Sequence, residues 1–533
     1  MNKQNSFYSP FIFSLLLISG IIIGYSLSSN HSTYSQFGGF NEQSKINEVL
    51  KLIQTDYVDT VNEQKLIENS LNDILHNLDP HSTYIPSSKF QNIAEEMSGD
   101  FEGIGIQYRI IKDSLVVIMP ISGGPSDKKG IRAGDRIVAV DDKNITQIKI
   151  TNDTVMRLLK GPKGSKVQLT IFRPSIKKFL KFTIKRDKIP VYSIDIAYMP
   201  KTTIGYIKIN RFSATTYDEF VSKTEILKAK GMKKLIIDLR DNGGGYLRAA
   251  TNLCNDFLGD QAEIVSTIGK NRQKEIIKAN SETRLQNTDL IILINEYSAS
   301  ASEIVTGAIQ DNDRGIIIGR QSFGKGLVQE QIEFRDKSAI RLTVARYYTP
   351  SGRCIQKSYA KGYKEYGTDL LKRYSNNELI NPDSIHFADS LKYYTKSGRL
   401  VYGGGGIMPD IFVPIDTNHL YTYFNKITDQ GLIYQYSFNY IDGKREKLIS
   451  KYKTPDSFIK NFTVSTKMIS DIIDLANKKG IPFEKESFLF SKPQIQNRLK
   501  AFIGRGLFDN EAFYPILLMQ DKTFQKAIEE FEK

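Results

Sequence analysis

Ser298, Ser300 and Ser302 stand two residues apart among small neighbours, and 25 residues after the second of them Lys325 sits in a Gly-Lys-Gly turn. A serine hydroxyl becomes a useful nucleophile only beside a base. Histidine is the usual base, yet none occurs between His81 and His386. Lys325 is therefore the leading candidate, and the chemistry would be acyl transfer. A lysine titrates near 10.4, so acting as a base at neutral pH requires a value lower by about three units, or about 4 kcal/mol of differential interaction. Burial supplies shifts of that sign, and residues 316–318, Phe323, Leu327 and Val328 offer an apolar setting. The competing readings are that the serines cap a helix, since Ser is favoured at N-caps, and that Lys325 is an exposed turn residue.

The elements around these residues narrow the choice. Residues 295–302 follow the apolar run DLIILI and open a helical pattern. A strand-to-helix turn exposes a nucleophile, and the helix N-terminus offers N–H groups and partial positive charge. A glycine-rich loop, Arg240 to Gly245, follows another apolar run, LIID. In a parallel sheet two such loops emerge at the carboxyl edge, where ligands bind. A rival is a phosphate-binding loop, because Gly319 to Lys325 matches its first seven positions. Its eighth position is Gly326 rather than Ser or Thr, the following LVQEQIEF reads as strand, and the acidic strand precedes the loop instead of following it. An ATPase is set aside on those grounds.

Upstream, helical apolar spacing runs over 41–91, with Ile46, Val49, Leu50 and Ile53 on one face and Asp79-Pro80 as a stop. From Gly99 short β-branched runs with glycine and proline punctuation take over. GDFEGIGIQY followed by PSDKKGIRAGDRIVAVDD resembles a PDZ domain of the bacterial protease type. That resemblance implies that Gly103, Ile104, Gly105 and Ile106 bind a peptide carboxylate, with Val155, Leu158 and Leu159 lining the opposing helix, the peptide adding as a strand. The alternative is that these glycines only shape turns. Beyond 191 strands alternate with helices, which predicts an α/β sheet with crossover helices.

The 533 residues suffice for three or four domains, with 40% hydrophobic and 25% charged residues, ordinary for globular protein. The net charge of +14 is spread along the chain, so a solvated basic surface is expected and no nucleic-acid partner. Residues 11–27 carry no charge over seventeen positions, at the lower limit for a membrane span. They are read as an uncleaved anchor, with a cleaved signal peptide as the alternative. Either way the rest of the chain is exported, tethered to the outer face of the cytoplasmic membrane or secreted. Cys254 and Cys354 either pair or remain free thiols. No Cys/His spacing suggests zinc, and neither a metal nor a cofactor is expected.

Taken together, SASASEI, residues 307–311 (GAIQD), SFGKGLVQ, LTVARYYTPSGR and GIMPD resemble the carboxyl-terminal processing proteases, PDZ-containing serine peptidases, over about 41–415. The resemblance implies a Ser-Lys dyad: Ser300 as nucleophile, selected by the 25-residue spacing, Lys325 as general base, and Gln329 orienting Lys325. It implies an oxyanion hole from the backbone N–H groups of Ala301 and Gly244, with Gly245 as the alternative, and a structural role for Glu303. The expected organisation is multidomain α/β: a cytoplasmic N-terminus (1–10), an anchor (11–27), a helical region (41–98), a PDZ domain (99–187), and a protease core (188–415) interrupted by an insertion near 356–400. A helical C-terminal region of unassigned role follows (417–533). The expected function is a membrane-tethered endopeptidase acting on proteins with apolar C-termini, with homo-oligomerisation left open. The competing class is a non-catalytic PDZ scaffold.

Overall fold

The computed structural model describes residues 9–28, 42–111, 113–417 and 421–533. The linker expected over 30–40 and most of the N-terminus expected over 1–10 lie outside the described residues. Two compact units divide the chain, 1–71 and 72–533. In the first, Ser9–Ser28 is a 20-residue helix over the apolar segment, and Glu42–Asp56 is a second helix. Among the described residues no helix is long and apolar enough to cross a membrane. The expected anchor therefore coincides with a helix but is not supported as a span.

The second unit is built around a six-stranded sheet in the order Ile194–Lys201, Ile204–Ile209, Lys234–Asp238, Asp289–Ile294, Ile316–Gly319, Ile411–Phe412. The first pair is antiparallel and the rest are parallel. Runs such as IGYIKI and DLIILI are apolar but for Lys208 and Asp289 because both faces of a parallel sheet are covered. Leu235, Ile237, Leu290, Ile292 and Ile294 pack against Phe220, Leu253, Val305 and Ile309 of the crossover helices. Tyr206, Ile236, Ile291 and Leu293 face the other way, onto Leu518, Phe524, Ala527 and Ile528 of the last two helices. The C-terminal region, eight helices among the described residues from Thr422–Asp429 to Lys522–Glu532, thus supplies the second cover of the core sheet.

A second, five-stranded sheet contains Thr83–Ile85, Ala339–Tyr348, the hairpin Glu263–Gly269 with Arg272–Lys278, and Leu327–Glu333. The alternating strand–helix pattern expected over 191–338 therefore holds for one sheet only. The stretch 263–278 is a hairpin of two antiparallel strands, the first buried over 264–266 and the second almost wholly exposed. The region expected to be helical over 41–98 also contains a strand, Thr83–Ile85, isolated between Pro80 and Pro86 and paired with Ala339–Tyr348. Leu327–Glu333 is a strand, as its composition predicted.

Residues 106–185 form a separate antiparallel sheet, Ile106–Ile111, Ser114–Pro120, Arg136–Val140, Lys166–Arg173 and Lys178–Lys185, with helix Asn152–Leu159. Asp100–Gly103 pairs with Asp187–Pro190 at its base. The insertion folds as two short helices, Tyr363–Gly367 and Asp369–Ser375, and a hairpin.

Candidate active site

The carboxyl ends of two central strands carry the loops the sequence singled out. Asn242 is fully buried between them: its backbone carbonyl accepts from Ala299 N–H (3.0 Å) and Ser302 Oγ (2.9 Å), and its side chain donates to Ile209 O (3.0 Å). Gly244 needs its lack of a side chain, since its φ is +97° and a Cβ would stand 2.7 Å from Ser300 Cβ and 2.8 Å from Ala301 N. The two loops are thereby pressed together at the start of helix Ala301–Asp311.

The three serines differ in their surroundings. Ser298 and Ser302 are fully buried, their hydroxyls donating to Leu239 O (2.8 Å) and Asn242 O (2.9 Å). Ser300 alone of the three is partly exposed. It occupies the N-cap with φ +55° and ψ −115°, a strained conformation of the kind that aims a nucleophile out of a strand-to-helix turn, at a cost of order 1–3 kcal/mol.

Two buried groups hold Ser300 and Lys325 as one assembly. The Glu303 carboxylate accepts from Ser300 N–H (2.8 Å), Lys325 N–H (2.9 Å), Gly324 N–H (2.7 Å) and Ser322 Oγ (2.6 Å). Burial pushes the Glu303 carboxyl up, and these four donors oppose that shift. The Tyr347 hydroxyl bonds the carbonyls of Ser300 (3.2 Å) and Lys325 (2.6 Å). Glu303 thus has the structural part expected for it. Tyr347 was not singled out in the sequence, where only its place in LTVARYYTPSGR marked it.

Lys325 Nζ donates to Gln329 Oε1 (2.9 Å), and Gln329 Nε2 donates to His81 O (2.6 Å). Burial and then the Arg341 charge hold the Lys325 amine down to about 8, against the pull of Glu303 and Asp79. His81, remote in sequence, lies beside this group. Its Nε2 meets Tyr366 Oη (2.8 Å), and burial with the Lys325 charge lowers it to about 4. Among the described residues Ser300 Oγ and Lys325 Nζ form no direct hydrogen bond with each other. Of the N–H groups expected to bind an oxyanion, those of Ala301 and Gly245 have no acceptor among the described residues, whereas Gly244 N–H donates to Asn242 Oδ1 (2.9 Å).

A separate groove of about 430 Å³ runs along the small β domain, lined by Ile104, Gly105, Ile106, Met156 and Leu159 among others. Gly103 and Val155 do not line it. Gly103 is paired in a strand, and Val155 is turned fully into the domain core, so the next helical position, Met156, faces the groove in its place. Lys160 closes one end through Glu95 (2.5 Å) and Asn92 (2.9 Å) of helix Ser87–Ser98. Cys254 and Cys354 are free thiols.

Residues 203–364 match peptidase family S41, residues 103–185 the PDZ domain, and residues 25–88 the N-terminal domain of the activating protease CtpB. Residues 423–509 match a family of unknown function. The chain is 37% identical to a carboxy-terminal-processing protease of Bartonella bacilliformis over 64% of this chain and 78% of that one. It is 32% identical to the carboxy-terminal processing protease CtpA of Bacillus subtilis over 70% and 80%. A solved PDZ domain of a carboxy-terminal protease from Vibrio cholerae, in complex with a peptide, is 34% identical over 17% of this chain and 97% of that one, with a TM-score of 0.16.

Proposed function

The chain belongs to the carboxyl-terminal processing proteases, serine-type endopeptidases with a PDZ domain, and from that premise we propose that it cuts peptide bonds with Ser300 as nucleophile and Lys325 as general base. The observation that carries this reading is the common hold of Glu303 and Tyr347 on both main chains, beside a buried amine with a lowered proton affinity. In the neutral amine, one N–H donates to Gln329 and the lone pair is left for the serine proton. Gln329 is itself fixed by His81 O, so it sets the rotation of that amine.

Ser300 Oγ attacks the scissile carbonyl as Lys325 Nζ takes its proton. The ammonium then returns that proton to the leaving amine. Water, activated by the same amine, cleaves the acyl-enzyme. The oxyanion of each tetrahedral intermediate is stabilised by Ala301 N–H, where the helix N-terminus adds partial positive charge. Gly245 N–H is a ready second donor, and Gly244 N–H serves only after leaving Asn242 Oδ1. Substrate C-termini that are apolar bind the groove along Ile104, Gly105, Ile106 and Leu159 as an added strand.

Ser300→Ala and Lys325→Ala are each expected to lower cleavage of a peptide with an apolar C-terminus by at least about 10³-fold. Retained cleavage in either variant rules out the dyad. Tethering to the outer face of the cytoplasmic membrane belongs to the same proposal and rests on the uncharged run 11–27. The full-length chain is then expected in the alkaline-carbonate-resistant membrane fraction, and recovery in the soluble fraction would overturn the tether.

A further inference from the structure

A larger cavity, about 640 Å³, lies away from Ser300, between the PDZ domain and the helical C-terminal region. That volume is in the range of small-molecule sites, about 300–1,000 Å³. Ile118 and Met119 of the PDZ sheet form one apolar wall, and Ile433, Phe438, Ile441 and Phe502 form the other. These two walls suit an apolar guest.

Its charges are unbalanced. Five guanidiniums and three carboxylates line it. Arg173 is bound to Asp135 and Arg132 to Glu446, while Asp442 faces Arg136 at 3.8 Å. Arg109, Arg445 and Arg505 are left without a carboxylate in ion-pair distance among the described residues. Arg109 lies 4.4 Å over the Tyr434 ring, and the charges of both Arg109 and Arg505 act on the Tyr434 hydroxyl, whose own burial raises it. Burial lowers Arg445, despite the charges of Asp442 and Asp135. Thr428 Oγ1 is buried at the same cavity with no hydrogen-bond partner among the described residues. Three guanidiniums without an anion, Arg445 and Arg505 half-buried and Arg109 exposed over the Tyr434 ring, on a cavity that also holds an unpartnered hydroxyl, are complementary to a carboxylate or phosphate.

We propose that this cavity binds a small single-chain amphiphile, its carboxylate or phosphate head between Arg109 and Arg505 beside Tyr434, and its alkyl chain along the Ile433–Phe502 wall. Tyr108 lines both this cavity and the peptide groove, so the strand Ile106–Ile111 separates the two. An occupant therefore braces the back of the strand on which a substrate C-terminus docks.

The test titrates the full-length protein, held in phosphatidylcholine nanodiscs, calorimetrically with octanoate, octyl phosphate and octyltrimethylammonium, against empty discs. One saturable site for at least one anion is expected, with the tighter of the two identifying the head group, and no saturable binding of the cation. The double variant Arg109→Gln/Arg505→Gln is expected to weaken the anion at least about tenfold. Ile433→Trp, which fills the cavity without touching the charges, is expected to abolish binding. Melting temperature and peptide cleavage report whether each variant is folded. If the arginine variant melts early, Ile118→Trp on the opposite wall carries the test. Equal binding of the cation, or an unchanged affinity in the folded variants, would overturn the proposal. So would displacement of the anion by an apolar-ended octapeptide whose own affinity depends on Arg109 and Arg505, since that result assigns the cavity to peptide.

Discussion

Lys325 is buried beside Arg341, and both act in one direction on its amine, which sits near 8. Cleavage is therefore expected to rise with pH and level off above about 8, with kcat/KM at pH 7 roughly a tenth of its plateau. A profile already flat at pH 6.5 would exclude the neutral lysine as base. The same shift acts on stability. Between about 8 and the ordinary lysine value the unfolded chain keeps a proton that the folded chain has released, so stability rises with pH across that window. Lys325→Met keeps the aliphatic stem and removes the buried charge. It is expected to raise the melting temperature at pH 7 and to flatten the rise above pH 8, while abolishing cleavage. Ser300 and Lys325 could be singled out in the sequence because each sits in a local motif and the family resemblance sets their separation. Tyr347 and His81 were not, since their bonds reach 47 residues to Ser300 and 248 residues to Gln329, distances at which no local pattern exists.

The elements meet the site through a few buried polar groups. Tyr347 comes from the long strand Ala339–Tyr348 of the second sheet, and it ties that sheet to the segments that carry Ser300 and Lys325. Tyr347→Phe is expected to cost about 1 kcal/mol of stability by denaturant unfolding, and to lower kcat with KM nearly unchanged. A change in KM alone would instead assign Tyr347 to substrate binding. The second sheet was hidden because RQKEIIK is mostly exposed and reads as polar loop, and because Thr83–Ile85 is only three residues long. The groove helix was anticipated, but not which of its faces opens. Val155 and Leu159 share an apolar stripe in the core, and only the packing decides that Leu159 also walls the groove while Val155 does not.

At the scale of the molecule, the C-terminal helices are part of the protease rather than an appendage. Phe524 is buried against Tyr206, ring centroids 5.4 Å apart, over the face of the core sheet opposite the crossover helices. Phe524→Ala is expected to cost about 3–5 kcal/mol, read as a lowered melting temperature for the whole catalytic unit. A separate early transition confined to the helical region would contradict that integration. The sequence disclosed these helices but not their place, since the apolar faces of helices and strands carry no record of which partner they will meet. The residue that caps the last helix also reaches the loop that carries Gly244. Arg240, four residues before Gly244, is shared between Asp238 at a strand end (2.6 Å) and Asp521 (2.8 Å), the N-cap of Lys522–Glu532. Burial pushes Asp238 up, but Arg240 and Lys208 outweigh it and hold it well below the usual carboxylate range. The loop beside Ser300 is thus clamped through Arg240 to the start of that helix, so a cut that removes the helix also strips Arg240 of one of its two anionic partners.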